Sequence, residues 1–136
     1  MMTRNADETK KIAVDLASTL HGGEVVLLVG DLGAGKTTFV QGLAAALGST
    51  SRVKSPTFAV MNEYTATFGA IRRIVHADLY RFSSADDVRA LALDDEHRPD
   101  TVIVIEWPNA IAYDFRADHT VIIDHAGGDS REVTIQ

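Results

Sequence analysis

The residues from Gly30 to Thr38, GDLGAGKTT, have the types and the spacing that bind the phosphates of a nucleotide. They fit the phosphate-loop pattern G-x-x-x-x-G-K-[ST], and the fixed positions are held by Gly30, Gly35, Lys36 and Thr37. Glycines let consecutive backbone N–H groups point at one anion, and the helix that follows directs its positive dipole end to the same place. We expect Lys36 to neutralise the outer phosphates and the Thr37 hydroxyl to bind Mg²⁺. The segment therefore predicts a nucleoside triphosphate site.

Two acids at strand ends could complete this site. The apolar run 102–105 ends directly in Glu106, and a second strand-like run, 71–76, is soon followed by Asp78. Ligands of open α/β sheets bind beyond the carboxyl ends of the strands, so both carboxylates are expected near the phosphates. A phosphate-loop hydrolase needs an acid that holds the metal through water and a group that positions the attacking water. The candidate catalytic residues are Lys36, Asp78 and Glu106, and the candidate metal ligands are Thr37 and Glu106.

Other polar residues near these acids carry less information. His76 stands at a strand end, where a histidine more often packs or caps than catalyses. His119 and His125 have no partners at metal-ligand spacing. Arg81 could reach a phosphate or could equally pair with a carboxylate. The chain lacks the Asn-Lys-x-Asp stretch that reads guanine, and this absence favours ATP over GTP.

The predicted helices and strands would bring the loop and the acids to one edge of a sheet. Continuous apolar runs such as 25–29, VVLLV, are typical of a strand that is covered on both faces. The patterns predict helices at 6–20, 36–47 and 86–93 and strands at 25–29, 57–64, 70–76, 102–105, 119–124 and 131–136. This order predicts an α/β protein with a three-layer αβα fold of the P-loop NTPase type. Its mixed sheet would have a parallel centre and antiparallel strands.

The composition limits the classes of protein to which the chain can belong. Its 136 residues are most simply one domain, 1–136, and are enough to bury a core. The absence of cysteine excludes disulfides, thiolate catalysis and cysteine-based zinc sites. No apolar run approaches the roughly 20 residues of a membrane span, and the polar N-terminus does not resemble a secretory signal. We therefore expect a cytoplasmic protein without membrane contact.

The charge of the chain bears on its relation to nucleic acids. The formal net charge is −6, and the basic residues are scattered along the sequence. Proteins that hold RNA or DNA by themselves usually carry a basic face that neutralises phosphates. Direct and tight binding of nucleic acid is therefore not expected.

Four segments together resemble the bacterial TsaE (YjeE) family. They are GDLGAGKTTF at 30–39, KSPTF at 54–58, HADLYRF at 76–82 and VIEWP at 104–108. Their order and spacing match that family along nearly the whole chain, from about Thr9 to the final strand. The family is the ATPase of tRNA threonylcarbamoyladenosine biosynthesis. The resemblance implies a small αβα ATPase that uses ATP and Mg²⁺ and works with the partner proteins TsaD and TsaB.

The resemblance also implies a division of labour among these proteins. The assembly with TsaD and TsaB attaches a threonylcarbamoyl group to an adenosine of tRNAs that read codons beginning with A. TsaE does not perform this transfer. Its ATP cycle lets the partner complex turn over, and its hydrolysis is slow when it is alone. Contact with tRNA would then be indirect, through the partners, which agrees with the acidic composition.

The functional positions of the family carry over through its motifs. Thr37 matches the magnesium ligand, Glu106 the acidic metal-shell position, and Asp78 the acid of a switch-like segment beside the γ-phosphate. Nucleotide contacts are implied for Gly33, Ala34, Gly35, Lys36, Thr37 and Thr38, and contacts near the adenine for Thr9 and Arg131. Trp107 matches the tryptophan of the family, and Ser55 and Thr57 fall in the SPTF segment, which is implied to order around the nucleotide.

One segment departs from the family pattern, and other functions stay open. Residues 91–98, LALDDEHR, lack the glycine and the aromatic pair that the family often has there, which leaves any partner contact in doubt. The alternative function is a nucleotide-gated binding module, in which ATP orders 54–58 and 76–82 and hydrolysis only resets that shape. A small-molecule kinase is disfavoured because the chain leaves little room for an acceptor pocket.

Overall fold

The computed structural model describes residues 1–31, 33–53, 61–79, 93–107 and 117–136. The strands in these ranges are β1 (Met2–Thr3), β2 (Val25–Val29), β3 (Met61–Phe68), β4 (Ile71–Asp78), β5 (Thr101–Trp107), β6 (His119–His125) and β7 (Arg131–Ile135). The α-helices are α1 (Ala6–Ala17) and α2 (Lys36–Ala46), and a 3₁₀ helix spans Leu93–Glu96. Neither α-helix of this described part has the length and apolar character needed to cross a membrane.

The described strands form one mixed sheet in the order β1-β7-β6-β2-β5-β4-β3. β2 runs parallel to both of its neighbours, β5 and β6, and β4 runs parallel to β5. The pairs β3–β4, β6–β7 and β1–β7 are antiparallel. The predicted α/β fold, with a mixed sheet that is parallel in its centre, is thus confirmed. Parallel pairing brings the carboxyl ends of β2, β4 and β5 to the same end of the sheet.

The central strand β2 is buried on both faces because its side chains alternate between two apolar clusters. Val26 and Leu28 pack with side chains of α1 and α2. On the opposite face, Val25 belongs to a cluster with Ile103 of the neighbouring β5 and Val75 of β4. Both described α-helices therefore cover the same face of the sheet. The predicted helix at 86–93 lies outside the described residues, except for Leu93, which begins the 3₁₀ helix.

The start of α1 follows the sequence, whereas its end comes earlier than predicted. The side chain of Asn5 accepts a hydrogen bond of 2.9 Å from the backbone N–H of Glu8, as an N-cap does. The carboxylate of Glu8 accepts one from the N–H of Arg4. The helix ends at Ala17 rather than near Leu20, because the N–H groups of Thr19 and Leu20 bond to carbonyls three residues back, which tightens the last turn.

The strand bounds also differ from the predicted ones. β3 continues to Phe68, and residues 57–60 of the predicted strand lie outside the described part. β4 continues to Asp78, and β5 continues to Trp107. The acids Asp78 and Glu106 therefore belong to the last residues of their strands, where sheet pairing fixes their backbones.

Arg73 connects its strand to three other elements at the end of the sheet opposite the phosphate loop. Its guanidinium lies 2.6 Å from a carboxylate oxygen of Glu96 and 3.2 Å from one of Glu63. It also donates a hydrogen bond to the hydroxyl of Thr101. Burial by itself would lower the pKa of Arg73, but the hydrogen bonds and negative charges of Glu96 and Glu63 outweigh burial and raise that pKa. Arg73 thus stays charged and joins its own strand, β4, to β3, β5 and the 3₁₀ helix.

Candidate nucleotide site

The phosphate loop connects the end of β2 to the start of α2. Gly33 and Gly35 have φ angles of 79° and 107°, which other residues adopt only with strain. Gly35 is the N-cap of α2 and provides no side-chain hydrogen bond to the first turn. The N–H groups of that turn are therefore available to an anion, in the arrangement that binds phosphates at helix N-termini.

Lys36 closes the loop from inside. It is the first residue of α2 and is buried, and its ammonium group donates a hydrogen bond to the carbonyl oxygen of Gly30. The contact holds the positive charge against the first residue of the loop. Thr37 and Thr38 follow it in the first turn and are half-buried. The predicted loop residues Gly33 to Thr38 therefore all lie at the turn that begins α2.

Glu106 and Asp78 lie next to each other at the carboxyl ends of their strands, at the end of the sheet where the loop starts. In the parallel pairing of β4 and β5, Asp78 is the partner of Glu106, and Glu106 is in turn the partner of Leu28 in β2. Val104 packs with the helices, and alternate residues of a strand share a face, so Glu106 also points to the helix side. The carboxylate of Glu106 is almost fully buried. The structure thus brings the two predicted acids together.

His76 contacts this acid, which the sequence did not indicate. It is fully buried, and its Nε2 atom lies 3.5 Å from Oε1 of Glu106. On its other side, Nδ1 lies 3.0 Å from the hydroxyl oxygen of Tyr64. The interpretation of His76 as a packed residue was correct about its burial but missed this contact. The H-x-D spacing puts His76 and Asp78 on one face of a strand, but the sequence carries no signal for the contact with Glu106.

Thr9 and Arg131 line the same cavity beside the loop, although they are far apart in the sequence. A cavity of about 240 Å³ adjoins the start of α2. Its lining comes from α1 and the residues before it, from the loop and α2, and from the β6–β7 hairpin: Asn5, Ala6, Thr9, Gly35, Thr38, Asp129 and Arg131. The hydroxyl of Thr9 is buried and lies 2.9 Å from that of Thr3. Contact of Thr9 and Arg131 with adenine stays a prediction.

Several predicted residues cannot be placed in the site. Ser55, Thr57 and Arg81 lie outside the described residues, and of Trp107 only the backbone, at the end of β5, is described. The described end of the unusual 91–98 segment lies away from the loop. Its His97 ring donates to the carbonyl of Gly23, just before β2 begins, at the opposite end of that strand.

The described residues contain no cluster of three or more His, Asp or Glu side chains that could hold a metal by itself. The donor set at the loop instead consists of one hydroxyl, Thr37, and the neighbouring carboxylates of Glu106 and Asp78. Mg²⁺ bound with nucleotides usually takes one or two such protein ligands and completes its shell with phosphate oxygens and water. The residues present therefore fit a magnesium ion that arrives with a nucleotide.

Comparisons with known proteins agree with this geometry. The family model described as "Threonylcarbamoyl adenosine biosynthesis protein TsaE" matches residues 3–133. The tRNA threonylcarbamoyladenosine biosynthesis protein TsaE of Bacillus subtilis is 39% identical over 133 residues, which cover 97% of this chain and 81% of the relative. That of Treponema pallidum is 34% identical over 137 residues, which cover 98% and 97%. The crystal structure of YdiB from Bacillus subtilis superposes with a TM-score of 0.76 at 35% identity and covers 99% of this chain and 82% of that one.

Proposed function

The chain belongs to the TsaE family, and from this membership we propose that it is a Mg²⁺-dependent ATP hydrolase of tRNA threonylcarbamoyladenosine biosynthesis. The observation that carries the proposal is the register of the central strands. Leu28, just before the phosphate loop, pairs with Glu106, and Glu106 pairs with Asp78. An anion-binding loop and two acids therefore share one edge of the sheet. They can supply parts that recur in hydrolysis of a γ-phosphate, namely a phosphate cradle, an acid for the metal and a group that positions water.

Each residue of the site has a role in this proposal. The N–H groups of Gly33 to Thr38 bind the phosphates, and Lys36 exchanges its bond to Gly30 for the outer phosphate oxygens. The Thr37 hydroxyl and the Glu106 carboxylate hold Mg²⁺, which neutralises charge on the β- and γ-phosphates when it is bound. Asp78 and Glu106 orient the attacking water. A cavity beside the loop, lined by Thr9 and Arg131, accepts the adenosine part.

We assign the partners by the same reasoning. Proteins of the TsaD and TsaB type carry out the transfer and hold the tRNA, and ATP hydrolysis by this chain lets their complex cycle. The net charge of −6 supports indirect contact with tRNA. The slow hydrolysis expected of the isolated chain agrees with a requirement for groups that the partners supply, since one arginine supplied in this way contributes about 10³–10⁵ in rate.

The decisive experiment measures ADP production from ATP with and without the purified TsaD–TsaB pair, for the wild type and for Glu106→Gln. We expect the variant to bind nucleotide within about threefold of the wild type and to lose about 10²–10⁴ of the stimulated rate, because a group that positions or activates water contributes about that much. Asp15→Asn is the control, because it removes one charge at an exposed position of α1.

The outcomes separate the possible functions. A wild-type stimulated rate in Glu106→Gln would remove Glu106 from the mechanism. The absence of ADP under every condition would reject the hydrolase. Many rounds of tRNA modification with a slowly hydrolysed ATP analogue as the only nucleotide would favour the nucleotide-gated binding module.

A further inference from the structure

Three buried polar side chains lie in a row on three neighbouring strands. Tyr64 of β3, His76 of β4 and Glu106 of β5 are 4%, 0% and 3% exposed. The Tyr64 hydroxyl is 3.0 Å from Nδ1 of His76, and Nε2 of His76 is 3.5 Å from Oε1 of Glu106. The imidazole therefore lies between the hydroxyl of β3, the last strand on one side of the sheet, and the carboxylate near the phosphate loop.

The chemistry of these groups fixes the direction of the row. A carboxylate accepts hydrogen bonds and does not donate them, so a bond between His76 and Glu106 requires a proton on Nε2. A neutral imidazole then has an unprotonated Nδ1, which accepts a hydrogen bond, and the Tyr64 hydroxyl is the donor beside it. The only consistent order for a neutral histidine is Tyr64 to His76 to Glu106.

The contact between His76 and Glu106 matters because of what else is near it. Among the described residues, Nε2 of His76 and Oε1 of Glu106 have no hydrogen-bond partner, and both atoms are buried. A buried polar group without a partner costs about 1–3 kcal/mol. The distance of 3.5 Å exceeds that of a formed bond, which is about 2.7–3.2 Å, so a shift of the carboxylate by about half an ångström would complete it.

We propose that His76 is a positioning residue for Glu106, and that Tyr64 fixes the tautomer in which it acts. The Nε2–H group holds Oε1 and thereby directs Oε2 of the carboxylate to the metal-bound or attacking water. This role rests on the hydrolase proposed above. Ring N–H groups that orient a carboxylate behind a metal site in this way typically change activity by about 10–100-fold when they are removed.

Two substitutions of His76 separate positioning from packing. In His76→Gln the side-chain amide reaches the place of Nε2 and can donate to Glu106. In His76→Asn the amide reaches only the place of Nδ1 and can bond only to Tyr64. We expect the stimulated ATPase rate of His76→Asn to be about tenfold below that of His76→Gln, with nucleotide Kd within about threefold in both. Equal ATPase rates in the two variants would overturn the proposal. So would decreases in rate that are proportional to the decreases in melting temperature.

A second measurement does not depend on activity, and it reads the tautomer in the wild-type chain. The ¹⁵N chemical shifts of the ring nitrogens report the tautomer of each of the five histidines in the wild-type chain. His76 is identified by the signals that disappear in His76→Gln. We expect a protonated Nε2 and an unprotonated Nδ1, and we expect the Nε2 shift to change in Glu106→Gln.

The spectrum also distinguishes failure of this inference from failure of the proposed function. A proton on Nδ1 would direct the histidine toward Tyr64 and leave none for Glu106, which would overturn the positioning role. An Nε2 shift that is the same in Glu106→Gln would do so too. Failure of the hydrolase proposal would instead appear as no ADP production by the wild type with its partners, whichever tautomer His76 adopts.

Discussion

The guanidinium of Arg131 contacts three backbone carbonyl groups, of which one belongs to the phosphate loop. Nε donates to Ala34 at 2.8 Å, and Nη1 donates to Gly128 and Ser130 of the β6–β7 turn. One planar group therefore holds the loop and the turn in a fixed relation. The conformation of the loop is therefore stabilised partly from outside the loop.

Replacing Arg131 by alanine should weaken nucleotide binding. Without the bond to Ala34 the nucleotide itself must order the loop, and a hydrogen bond to a charged group contributes about 1.5–3 kcal/mol. We expect Kd for ADP or ATP, measured by titration calorimetry, to rise by about tenfold or more. Unchanged affinity in Arg131→Ala would show that this contact does not order the loop.

Arg72 provides the matched control for this experiment. It donates to the carbonyls of Gly69 and Ile71 in the β3–β4 turn, much as Arg131 does in its own turn, but the Arg72 contacts do not include the loop. Arg72→Ala should therefore leave nucleotide Kd within about threefold of the wild type. An equal loss of affinity in both variants would indicate a general effect of destabilised turns.

The residues of the site differ in how well a sequence can predict them. Gly35, Lys36 and Thr37 act within one short loop, so their spacing alone predicts their arrangement. Glu106 was predicted because an apolar strand ends beside it. The contact between His76 and Glu106 could not be predicted, because it depends on the register of β4 against β5, which neither strand contains by itself.

At the scale of elements, α1 and α2 approach each other closely at Gly42. A Cβ atom added there would lie 2.9 Å from the backbone Cα and carbonyl oxygen of Lys10. Contacts this short with backbone atoms cannot be relieved by rotation of a side chain. Gly42 in the middle of α2 therefore sets the distance between the two helices that cover one face of the sheet.

Gly42→Ala should destabilise the protein, although alanine is the better helix former. Helix propensity alone would favour alanine by about 1 kcal/mol, whereas overpacking at a close contact costs about 1–3 kcal/mol and also displaces the helix that carries Thr9. Because backbone atoms are involved, we expect the second effect to win and Tm to fall by several degrees in thermal unfolding.

The control for this prediction lies one residue away. Gln41→Ala changes the same helix at a half-buried position that lines a surface cavity with Ser49 and Arg52, and it should change stability by no more than about 0.5 kcal/mol. A higher Tm in Gly42→Ala than in the wild type would mean that the two helices separate at little cost.

Element types were more predictable than element bounds. α1, β2 and α2 have strong apolar periodicity and clear ends, and the prediction placed each of them correctly to within a turn. The two-residue strand β1 has too few residues for a pattern and forms only because β7 pairs with it. The ends of β4 and β5 depend on neighbouring strands for the same reason, so polar residues such as Asp78 remain in the ladder.

At the scale of the whole molecule, the net charge predicts how strongly the protein binds RNA. With a net charge of −6, we expect the isolated chain to bind tRNA more weakly than about 10⁻⁴ M at physiological salt, because non-specific affinity comes mainly from neutralised phosphates. Filter binding or fluorescence anisotropy with labelled tRNA measures this. The TsaD–TsaB pair, tested in the same buffer, is the positive control. Micromolar binding that weakens steeply with added salt would instead reveal a basic surface assembled by the fold.

The order of strands in the sheet was the least predictable property of the whole molecule. The apolar runs indicate that β2 and β5 are central, but a run does not specify its neighbours. β2 lies between β5 and β6, and β4 lies on the far side of β5. That order, and not the identity of any residue, determines which acid adjoins the loop.

The position of β2 in the sheet has a consequence for how the chain folds during its synthesis on the ribosome. β2 and the loop are synthesised early, but Val26 pairs with Val104 on one side and with His119 on the other. Until those residues have left the exit tunnel, the VVLLV segment has no strand beside it and is a target for chaperones that bind exposed apolar chain. The nucleotide site proposed above therefore forms only after β5 and β6 have emerged from the ribosome.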